Sequence, residues 1–473
     1  MAEIRGFLKY DRKNTGYRPV KERIQDWREV ELSLSPDDIF QQAARCIDCG
    51  IPFCHGVGCP VQNNIPEFNE LIYKDQWEKA CAVLHQTNNF PEITGRICPA
   101  PCETACTLAI NDRPVFIRHI EFQIVERGFA QGWIRPLPAA KKTGKRVAVI
   151  GSGPAGLAAA QQLARIGHEV VVFEKDEKCG GLLRYGIPDF KLAKTVIDRR
   201  LEQLTAEGVQ FQTGVDVGID ISARYLKKRF DCICLCTGAS KPRDLAVSGR
   251  GLENVVFAMD YLAGQNKICS GEITDSNKTI SAYNKNVVVV GGGDTGSDCI
   301  GTAIRQKAKS VCQLEILPKP PETRPDDTPW PGWPRTMRIS SSQQEGCERK
   351  WSVKTTKLSG VGTRVTTLHG CDVEWVETNK GWDIKDVKGS EFEMKADVVI
   401  LAMGFLHVQH QGLVKDFGLE LDQRGNIIVN EDGTNQPGVF AAGDSADGAS
   451  LVVRAIASGR TVAENINAWL KKA

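Results

Sequence analysis

The stretch KRVAVIGSGPAG, residues 145–156, decides the fold because it joins an apolar strand pattern to a glycine-rich turn that opens an alanine-rich helix pattern. Gly151, Gly153 and Gly156 form G-x-G-x-x-G. In such a turn the first glycine allows the sharp bend, the second lets a pyrophosphate approach backbone N–H groups, and the third permits close helix–strand packing. The anion lies at the helix N-terminus, where free N–H groups and the helix dipole favour negative charge. The stretch therefore predicts an α/β dinucleotide-binding unit.

The residue expected to bind the ribose of that dinucleotide is Glu174. It stands eighteen residues past Gly156, at the end of the next strand pattern, EVVVFEK (169–175). A carboxylate at this place accepts hydrogen bonds from a ribose diol. A tight turn without a ligand is the alternative, but the strand before the turn and the helix after it favour a nucleotide.

The same unit recurs 140 residues later, in NVVVVGGGDTG, where Gly291, Gly293 and Gly296 repeat the glycine pattern. Glu315 follows nineteen residues on. A carboxylate at that ribose position repels a 2′-phosphate, and no adjacent arginine pair follows it, so Glu315 favours NADH over NADPH. Two such turns predict two nucleotides, and a flavin with a nicotinamide is the productive pair because a hydride passes between their rings.

Two groups of cysteines precede these units. The first reads C-x2-C-x4-C-x4-C-P and the second C-P-x2-C-x3-C. Their members are Cys46, Cys49, Cys54, Cys59, Cys98, Cys102 and Cys106. Zinc sites usually present two clean close pairs, whereas short cysteine runs with a trailing proline are typical of iron–sulfur clusters. Zinc and disulfides remain alternatives, but iron–sulfur chemistry is favoured.

The number of cysteines bears on the number of clusters. Two 4Fe–4S clusters need eight ligand positions, and the two groups supply seven thiols. Either one iron has a non-cysteine ligand or one cluster is incomplete. Cys81 could be the eighth ligand, but it lies mid-helix among apolar residues and is expected in the core. A carboxylate or amide from the helix after Cys106 is the other possibility.

Composition excludes several classes of protein. Sixty basic against 58 acidic residues give a net charge of +2, which gives no reason to expect nucleic acid. The sequence has no run of about 18 apolar residues, so no membrane span is expected. The polar N-terminus lacks the apolar core of a secretory signal, so a cytoplasmic protein is expected. In that compartment clustered cysteines bind metal or do redox chemistry more often than they form disulfides.

Other segments give simpler predictions. Apolar spacing near three to four predicts helices over 63–90 and 115–130. The stretch 317–335 holds seven prolines and is expected to be an extended surface loop with no chemistry of its own. Cys232, Cys234 and Cys236 alternate on a predicted strand and are expected to pack as small apolar side chains.

Four stretches in fixed order carry a resemblance to a known family: RCIDCGIPFCHGVGCPVQNNIPEFN, GRICPAPCETACTL, GKRVAVIGSGPAGLAAA and GGLLRYGIPDFKL. Together they closely resemble the small (beta) subunit of bacterial glutamate synthase, over nearly the whole chain. The same module resembles the N-terminal half of dihydropyrimidine dehydrogenase and the large subunit of a bifurcating ferredoxin:NADP oxidoreductase.

The resemblance implies two 4Fe–4S clusters. One would be held by Cys46, Cys49, Cys54 and Cys106. The other would use Cys59, Cys98, Cys102 and a side-chain oxygen at the position of Glu121. The alternative for Glu121 is an ordinary exposed helix carboxylate.

The resemblance also implies where the two nucleotides bind. The residues expected at FAD are Gly151, Ser152, Gly153, Pro154, Ala155, Gly156, Glu174, Lys175, Gly181, Leu182, Arg184, Gly238, Gly443 and Asp444. Those expected at NADH or NADPH are Gly291, Gly293, Asp294, Thr295, Gly296 and Glu315. Many members that use NADPH carry a basic pair after the second strand, where this chain has LEILPKPP, so NADH is favoured.

The predicted fold class is α/β: a helical N-terminal iron–sulfur domain followed by two Rossmann-like dinucleotide-binding domains, the second inserted in the first. The cluster domain is expected over 1–140. The FAD domain is expected over 141–250 plus 395–473, and the NAD(P)H domain over 251–394.

The resemblance implies an electron-input subunit of glutamate synthase. It would oxidise NAD(P)H through FAD and pass electrons through two clusters to a large (alpha) subunit that makes glutamate from glutamine and 2-oxoglutarate. Hydride transfer needs positioning, so no catalytic acid or base is expected. The chain begins Met-Ala rather than with a cysteine nucleophile and has no (β/α)8 pattern, so it is not expected to make glutamate alone. The alternatives are a related adaptor that reduces ferredoxin, sulfur species or another reductase, and a non-catalytic cluster-bearing scaffold.

Overall fold

Short helices fill the N-terminal region of the structure, a computed structural model that describes residues 3–379 and 381–472. They are α1 (Gly6–Lys9), α2 (Val20–Arg23), α3 (Pro36–Ala44), α4 (Ile65–Tyr73), α5 (Trp77–Thr87), α6 (Pro91–Ile97), α7 (Pro101–Thr104) and α8 (Ile117–Ala130). A π-helical turn over Cys54–Gly58 and a 3₁₀ turn over Thr107–Ile110 lie between them. Three of these helices begin at a proline, whose fixed φ suits the first helical position and whose missing N–H would be unpaired there anyway.

The predicted helix over 115–130 is confirmed as α8. The one over 63–90 is instead two helices, α4 and α5, because the chain turns between them at Asp75, which has a left-handed φ of 54°. Both helices bury their apolar faces in one core with α8, through Phe68, Leu84 and Ile120. The cysteines of both groups lie at the border of that core.

The stretch 145–156 contains the central strand of a five-stranded parallel sheet. Its strands are β1 (Arg146–Ile150), β2 (Glu169–Phe173), β3 (Gln210–Gln212), β4 (Cys232–Leu235) and β14 (Val439–Ala441), in the spatial order β14-β4-β1-β2-β3. Val147 pairs with Val170 on one side and with Cys232 on the other. Helices α9 (Pro154–Ile166) and α18 (Val452–Lys472) pack against each other on this sheet, which buries its central strands on both faces as parallel sheets require.

A second five-stranded parallel sheet lies between β4 and β14 in the chain, which confirms the predicted insertion. Its strands are β5 (Val255–Phe257), β6 (Asn286–Val290), β7 (Ser310–Glu315), β8 (Glu348–Trp351) and β13 (Val398–Leu401), in the spatial order β5-β13-β6-β7-β8. The structure differs from the predicted domain limits at residue 395. That limit assigns β13 to the first unit, whereas β13 pairs with β5 and β6 in the second sheet.

An antiparallel sheet, which the sequence pattern did not reveal, is inserted between β8 and β13. It consists of β9 (Val353–Val361), β10 (Arg364–Thr378), β11 (Gly381–Asp386) and β12 (Phe392–Lys395). Its central strand β10 pairs with all three others. Leu358 and Leu368 from this sheet share an apolar cluster with Val399 of β13, so it packs on the second parallel sheet.

The remaining helices cover the sheets and connect them. They are α10 (Leu182–Tyr185), α11 (Lys194–Ala206), α12 (Ala223–Arg229), α13 (Ala258–Cys269), α14 (Asp294–Arg305), α15 (Ser341–Gln344), α16 (Lys415–Phe417) and α17 (Asp444–Asp447). Over residues 3–379 and 381–472, no helix is both long enough and apolar enough to cross a membrane.

The N-terminal arm, residues 10–34, ties the helical region to the second sheet. Arg23 on the arm and Arg305 on α14 both pair with the buried carboxylate of Glu345, at 2.7 Å and 2.6 Å. The backbone N–H of Val30 donates to the carbonyl of Phe190, at 3.0 Å. A buried carboxylate is stabilised only when it is paired, so these contacts fix the arm against both units.

Candidate cluster and nucleotide sites

Four of the predicted cysteines line one cavity, which we call the first cavity: Cys46, Cys49, Cys54 and Cys106. Cys46 lies just after α3, and Cys54 opens the π-helical turn. Cys106 comes from much later in the chain, after α7. The rest of the lining is mostly apolar and includes Ile65 and Ile117. The structure therefore brings the two cysteine groups together, with three thiols from the first group and one from the second.

The other three cysteines line a second cavity together with a carboxylate: Cys59, Cys98, Cys102 and Glu121. Asn63, Asn88 and Thr94 also line it, as does Val453 at the start of α18. The second cavity therefore borders the first parallel sheet's helix layer, whereas the first cavity does not include residues from that unit. Both cysteine groups contribute to both cavities.

Glu121 is buried and held by three donors. Asn63 Nδ2 donates to Oε2 at 3.0 Å, Asn88 Nδ2 donates to Oε1 at 3.2 Å, and Thr94 Oγ1 donates to Oε1 as well. Burial raises the pKa of Glu121 to about 7, although the bonds from Thr94 and Asn63 oppose that rise. The carboxylate is therefore not the exposed helix residue that was the alternative. Spacing carried a signal for it, because Glu121 shares the apolar helix stripe of Ile117 and Ile124.

The thiols are buried as well, and burial raises their pKa because it penalises the thiolate. The pKa rises to about 12 for Cys46, about 11 for Cys59 and about 12 for Cys98, and the pKa values of Cys54 and Cys102 rise for the same reason. Thiols in such surroundings become thiolates when a bound cation compensates the charge. The donor set is thus chemically suited to a metal-containing group.

A single metal ion does not fit this arrangement. A tetrahedral zinc site with Zn–S bonds of about 2.3 Å draws its sulfurs to within about 4 Å of one another. Within the described ranges, no group of three or more His, Cys, Asp or Glu side chains is arranged to hold one metal ion. All seventeen cysteines are free thiols, so neither group is a disulfide framework. Ligands that line a cavity without converging on one point fit a polynuclear iron–sulfur cluster.

The first glycine turn has the geometry that each of its glycines was expected to supply. Gly151 has a φ of 101°, and a Cβ there would lie 2.4 Å from the carbonyl oxygen of Cys236. A Cβ on Gly156 would lie 2.0 Å from the carbonyl oxygen of Gly151. Gly153 has nothing within 4 Å of its Cβ position, so the chain leaves room beside it. A pyrophosphate has access to the backbone there.

Glu174 is fastened to this turn. Its Oε2 accepts hydrogen bonds from the backbone N–H of Ser152 at 3.0 Å and from Ser152 Oγ at 2.5 Å. Its Oε1 accepts from the N–H of Asp176 at 3.0 Å. Lys175, beside it, is exposed. The carboxylate that was predicted for the ribose is buried at the turn, held by the residue between the first two glycines.

The other residues predicted at FAD lie on several segments. Gly181 lies against the turn, since its Cβ position is 3.0 Å from Gly153 Cα, and Gly443 packs against Ala155 in the same way. Asp444 opens α17, accepts from Ser450 Oγ at 3.0 Å, and has a pKa raised to about 6 by burial. Of the remaining residues, Pro154 begins α9, and Gly238 follows β4 with a φ of 72°. Leu182 is exposed, whereas Arg184 is buried and donates a hydrogen bond to the carbonyl of Cys179.

The second glycine turn repeats this geometry with one difference. Gly291 and Gly296 are closed off by backbone carbonyls, of Ala402 at 2.2 Å and of Gly291 at 2.4 Å, and Gly293 is open. Glu315 lies on the turn itself, since a Cβ on Gly292 would be 1.9 Å from its Oε2. Its Oε1 accepts from the N–H of Leu317 at 3.0 Å. The predicted Asp294 and Thr295 form the first turn of α14.

Sequence spacing did not identify two arginines beside this second turn. Arg349 lies on β8, which pairs with β7. Burial lowers the pKa of Arg349, and the nearby Cys347 and Glu315 oppose that shift. Its Nη1 donates to the carbonyl of Arg338 at 3.2 Å. Burial also lowers the pKa of Arg338, which the charge of Asp294 opposes. No local pattern marks them, because both are more than twenty residues past Glu315: Arg349 arrives through the pairing of β8 with β7, and Arg338 lies in the segment before α15.

The fold and its sites define a class of protein: an oxidoreductase with two dinucleotide turns and a cysteine-rich helical domain. Residues 145–459 match the family described as pyridine nucleotide-disulphide oxidoreductase. Residues 23–133 match the family described as dihydropyrimidine dehydrogenase domain II, 4Fe-4S cluster. The fold is similar to that of FprA from Mycobacterium tuberculosis in complex with NADPH, with a TM-score of 0.56, 17% identity, and coverage of 70% of this chain and 85% of that one.

Relatives narrow the class to one family. The chain is 49% identical to the glutamate synthase [NADPH] small chain of Mycobacterium tuberculosis, over 99% of this chain and 96% of that protein. It is 44% identical to the glutamate synthase [NADH] of Schizosaccharomyces pombe, over 99% of this chain and 23% of that longer protein. The chain belongs to the family of glutamate synthase small chains, and it is an NAD(P)H-dependent flavin oxidoreductase with an iron–sulfur domain, as the sequence predicted.

Proposed function

We propose that this chain is the electron-input subunit of a glutamate synthase. It takes electrons from NADH or NADPH and delivers them to a large chain, which makes glutamate from glutamine and 2-oxoglutarate. The observation that carries the proposal is the placement of seven thiols and Glu121 around two cavities, in a chain that also holds two dinucleotide turns. Such a set of ligands beside two dinucleotide turns is suited to the transfer of electrons.

The ligands are divided between two 4Fe–4S clusters. Cys46, Cys49, Cys54 and Cys106 would hold one in the first cavity, and Cys59, Cys98, Cys102 and Glu121 would hold the other in the second. FAD, when bound, accepts a hydride and gives up its electrons one at a time, and the clusters carry single electrons.

The chain's own residues bind and orient these groups. Asn63, Asn88 and Thr94 hold Glu121 by its two oxygens and keep the carboxylate aimed into the second cavity. Second-shell donors of this kind fix the orientation of a ligating side chain. Gly153 and the N-terminus of α9 offer backbone N–H groups to a pyrophosphate, and Gly181 and Gly443 close the site from two sides.

The choice of nicotinamide follows from the second turn. Glu315 lies on the turn, where a 2′-phosphate would meet its negative charge, and this favours NADH. Arg349 and Arg338 would attract a phosphate, but Arg349 already faces the charge of Glu315. Relatives are named for either nucleotide, NADPH in Mycobacterium tuberculosis and NADH in Schizosaccharomyces pombe. We therefore assign NADH as the preferred donor, with weaker use of NADPH.

The two cavities differ in what lies beside them, and this suggests a direction. The second cavity includes Val453, close to the segment of Asp444 that we assign to FAD. Exposed apolar side chains stand close in the chain to the cysteines of the first cavity, and we call them its rim: Ile51 is 76% exposed, Val57 60% and Ile110 53%. We assign that rim to the large chain, and place the resulting enzyme in the cytoplasm.

Reconstitution with the large chain tests the function. The purified chain alone should reduce an artificial dye with NADH and form no glutamate from glutamine and 2-oxoglutarate. Addition of the large chain from the same organism should couple NADH oxidation to glutamate formation. Glutamate produced by this chain alone, or dye reduction without any gain of glutamate on mixing, would contradict the proposal. The second outcome would favour an adaptor that serves a different reductase.

A further inference from the structure

The proline-rich loop, residues 317–335, reaches from the second nucleotide turn to the first cavity. It leaves β7 two residues after Glu315 and extends to Trp330, whose ring centroid lies 4.7 Å from that of Phe53. Trp330 Nε1 donates a hydrogen bond to the backbone carbonyl of Cys106 at 3.3 Å. Phe53 directly precedes Cys54. One indole therefore bonds to the backbone of Cys106 and packs on the aromatic ring of the residue that precedes Cys54.

The loop is built to hold that indole in place. Arg324 Nη1 donates to the carbonyls of Thr328 and Gly332, both at 2.8 Å, and so fastens the two sides of the loop around Trp330. The N–H of Met337 closes the base of the loop on the carbonyl of Pro321, at 2.8 Å. Seven prolines reduce the conformations available to the free segment. Ordering this loop therefore costs less than its length suggests.

Trp333, in the same loop, contacts Arg338 rather than the cysteines. Trp333 is 41% exposed and stacks on Arg338, whose guanidinium lies 3.6 Å from the ring centroid. It belongs to the nucleotide side of the loop. Trp330 is half-buried and faces the cysteines. Both residues are tryptophans of the same loop, but only Trp330 bonds to the carbonyl of Cys106.

We propose that Trp330 is a positioning residue for the iron–sulfur cluster of the first cavity, an inference that rests on the proposed function. Its N–H fixes the carbonyl of Cys106, and its ring holds the Phe53–Cys54 turn, so that a thiol from each cysteine group stays in register. The indole also covers the backbone on that side of the cavity and limits access of water and oxygen. The loop, which sequence analysis treated as chemically inert, thus becomes part of the cluster site.

The prediction separates the ring from its N–H. Trp330→Phe keeps an aromatic ring against Phe53 and loses the donor to Cys106, whereas Trp330→Ala loses both. Trp333→Ala is the matched control, since it removes a tryptophan of the same loop without touching the cavity. Solvent exposure and hydrogen bonding around a cluster set its electronic properties, so only the first cluster should respond.

The experiment uses the full chain purified anaerobically together with its large chain. EPR spectra of the dithionite-reduced complex and the rate of signal loss in air are compared for the four proteins. Trp330→Ala should shift the signal of one small-chain cluster and speed its loss several-fold, Trp330→Phe should lie between, and Trp333→Ala should match the wild type. The signal that Glu121→Ala alters should stay unchanged in all three.

Two results would overturn the inference, and they are distinguishable. If both Trp330 variants match Trp333→Ala in spectrum and oxygen sensitivity, Trp330 does not position the cluster, and the proposed function is untouched. If the wild-type complex carries flavin and shows no cluster signal from this chain, the proposed function fails and the inference fails with it. Flavin content and melting temperature are measured on every variant to identify a misfolded protein. If Trp330→Ala is misfolded, the comparison of Trp330→Phe with Trp333→Ala tests the inference.

Discussion

The first cavity presents four thiols in a mostly apolar lining, whereas the second presents three thiols and the carboxylate of Glu121 among amide and hydroxyl donors. A buried carboxylate without partners costs several kcal/mol, so the second cavity needs Asn63, Asn88 and Thr94 in addition to its ligands. Free thiols are small and weakly polar, and the side-chain contact that we assign to the first cavity is the single hydrogen bond from Trp330 to the carbonyl of Cys106. The difference shows that a buried carboxylate among thiols comes with its own set of hydrogen-bond donors.

The cavities also differ in position. The second is lined in part by Val453 of α18, whereas the exposed Ile51 and Val57 stand near cysteines of the first in the chain. One site is thus next to a nucleotide unit, and the other has exposed apolar residues beside its cysteines in the sequence. A chain that receives electrons internally and delivers them to a partner needs such an asymmetry. Separate roles for the two cavities imply separate responses to substitution.

The largest effects are expected when a thiol is removed from either cavity. Cys54→Ser and Cys102→Ser should each abolish glutamate formation by the complex with the large chain, because either change interrupts the only route between the nucleotides and the partner that we propose. NADH-dependent dye reduction should survive, since the flavin site is untouched. Cys269→Ser, a half-buried cysteine on α13 outside both cavities, is the control and should keep both activities. Normal glutamate formation by Cys54→Ser would break the comparison.

Removing the carboxylate should affect one cavity alone. Glu121→Ala should change or remove the EPR signal of one cluster and leave that of the other, with a matching loss of iron. Glu121→Gln should be milder, because an amide oxygen can still coordinate. Glu126→Gln lies on the same helix, where the carboxylate pairs with Arg96 outside the cavity, and should leave both signals as they are. Unchanged iron content and spectra in Glu121→Ala would show that the carboxylate is not a ligand.

A change at the second nucleotide turn should leave both cavities alone and alter only the entry of electrons. Glu315→Ser removes the charge that faces a 2′-phosphate, and the ratio of kcat/KM for NADPH to that for NADH should rise roughly tenfold, about 1.4 kcal/mol of discrimination. Steady-state kinetics of dye reduction measures this ratio. Glu322→Ser, an exposed carboxylate in the proline-rich loop, serves as the control. An unchanged ratio would show that Glu315 does not determine the choice between NADH and NADPH.

The smallest effect is expected at the rim of the first cavity. Ile51→Asp should weaken association with the large chain about fivefold, because losing one interface side chain of this kind costs about 1 kcal/mol. Dye reduction should be unchanged. Ile219→Asp replaces an isoleucine that is 80% exposed on the first sheet's unit and should not affect association. Equal affinities for the two variants would argue against the rim as the contact surface.

Sequence alone predicted the features that depend on local spacing. The glycine turns and the two cysteine groups are contained within short stretches, and the structure gives the glycine turns the backbone geometry that their pattern indicated. The division of the cysteines between two cavities was available only through the family resemblance, since Cys106 joins Cys46 across about sixty residues of chain. Spacing could not supply a contact of that length.

Features that depend on contacts between distant segments could not be predicted in this way. A strand pattern over 396–405 does not say which sheet the strand joins, so β13 was assigned to the wrong side of the limit at 395. The donors of Glu121 come from three separate segments, and none of them carries a motif. Trp330 was missed for the same reason, because a proline-rich surface stretch gives no indication of what it touches.

The central claim is that the two cavities hold separate clusters, and a difference in iron content tests it most directly. Iron and flavin are measured in the wild-type complex and in Cys54→Ser, so that iron belonging to the large chain cancels. The account predicts about four fewer iron atoms per complex in the variant, with the EPR signal that depends on Glu121 retained. An unchanged iron-to-flavin ratio, or loss of both signals together in a folded complex, would contradict it.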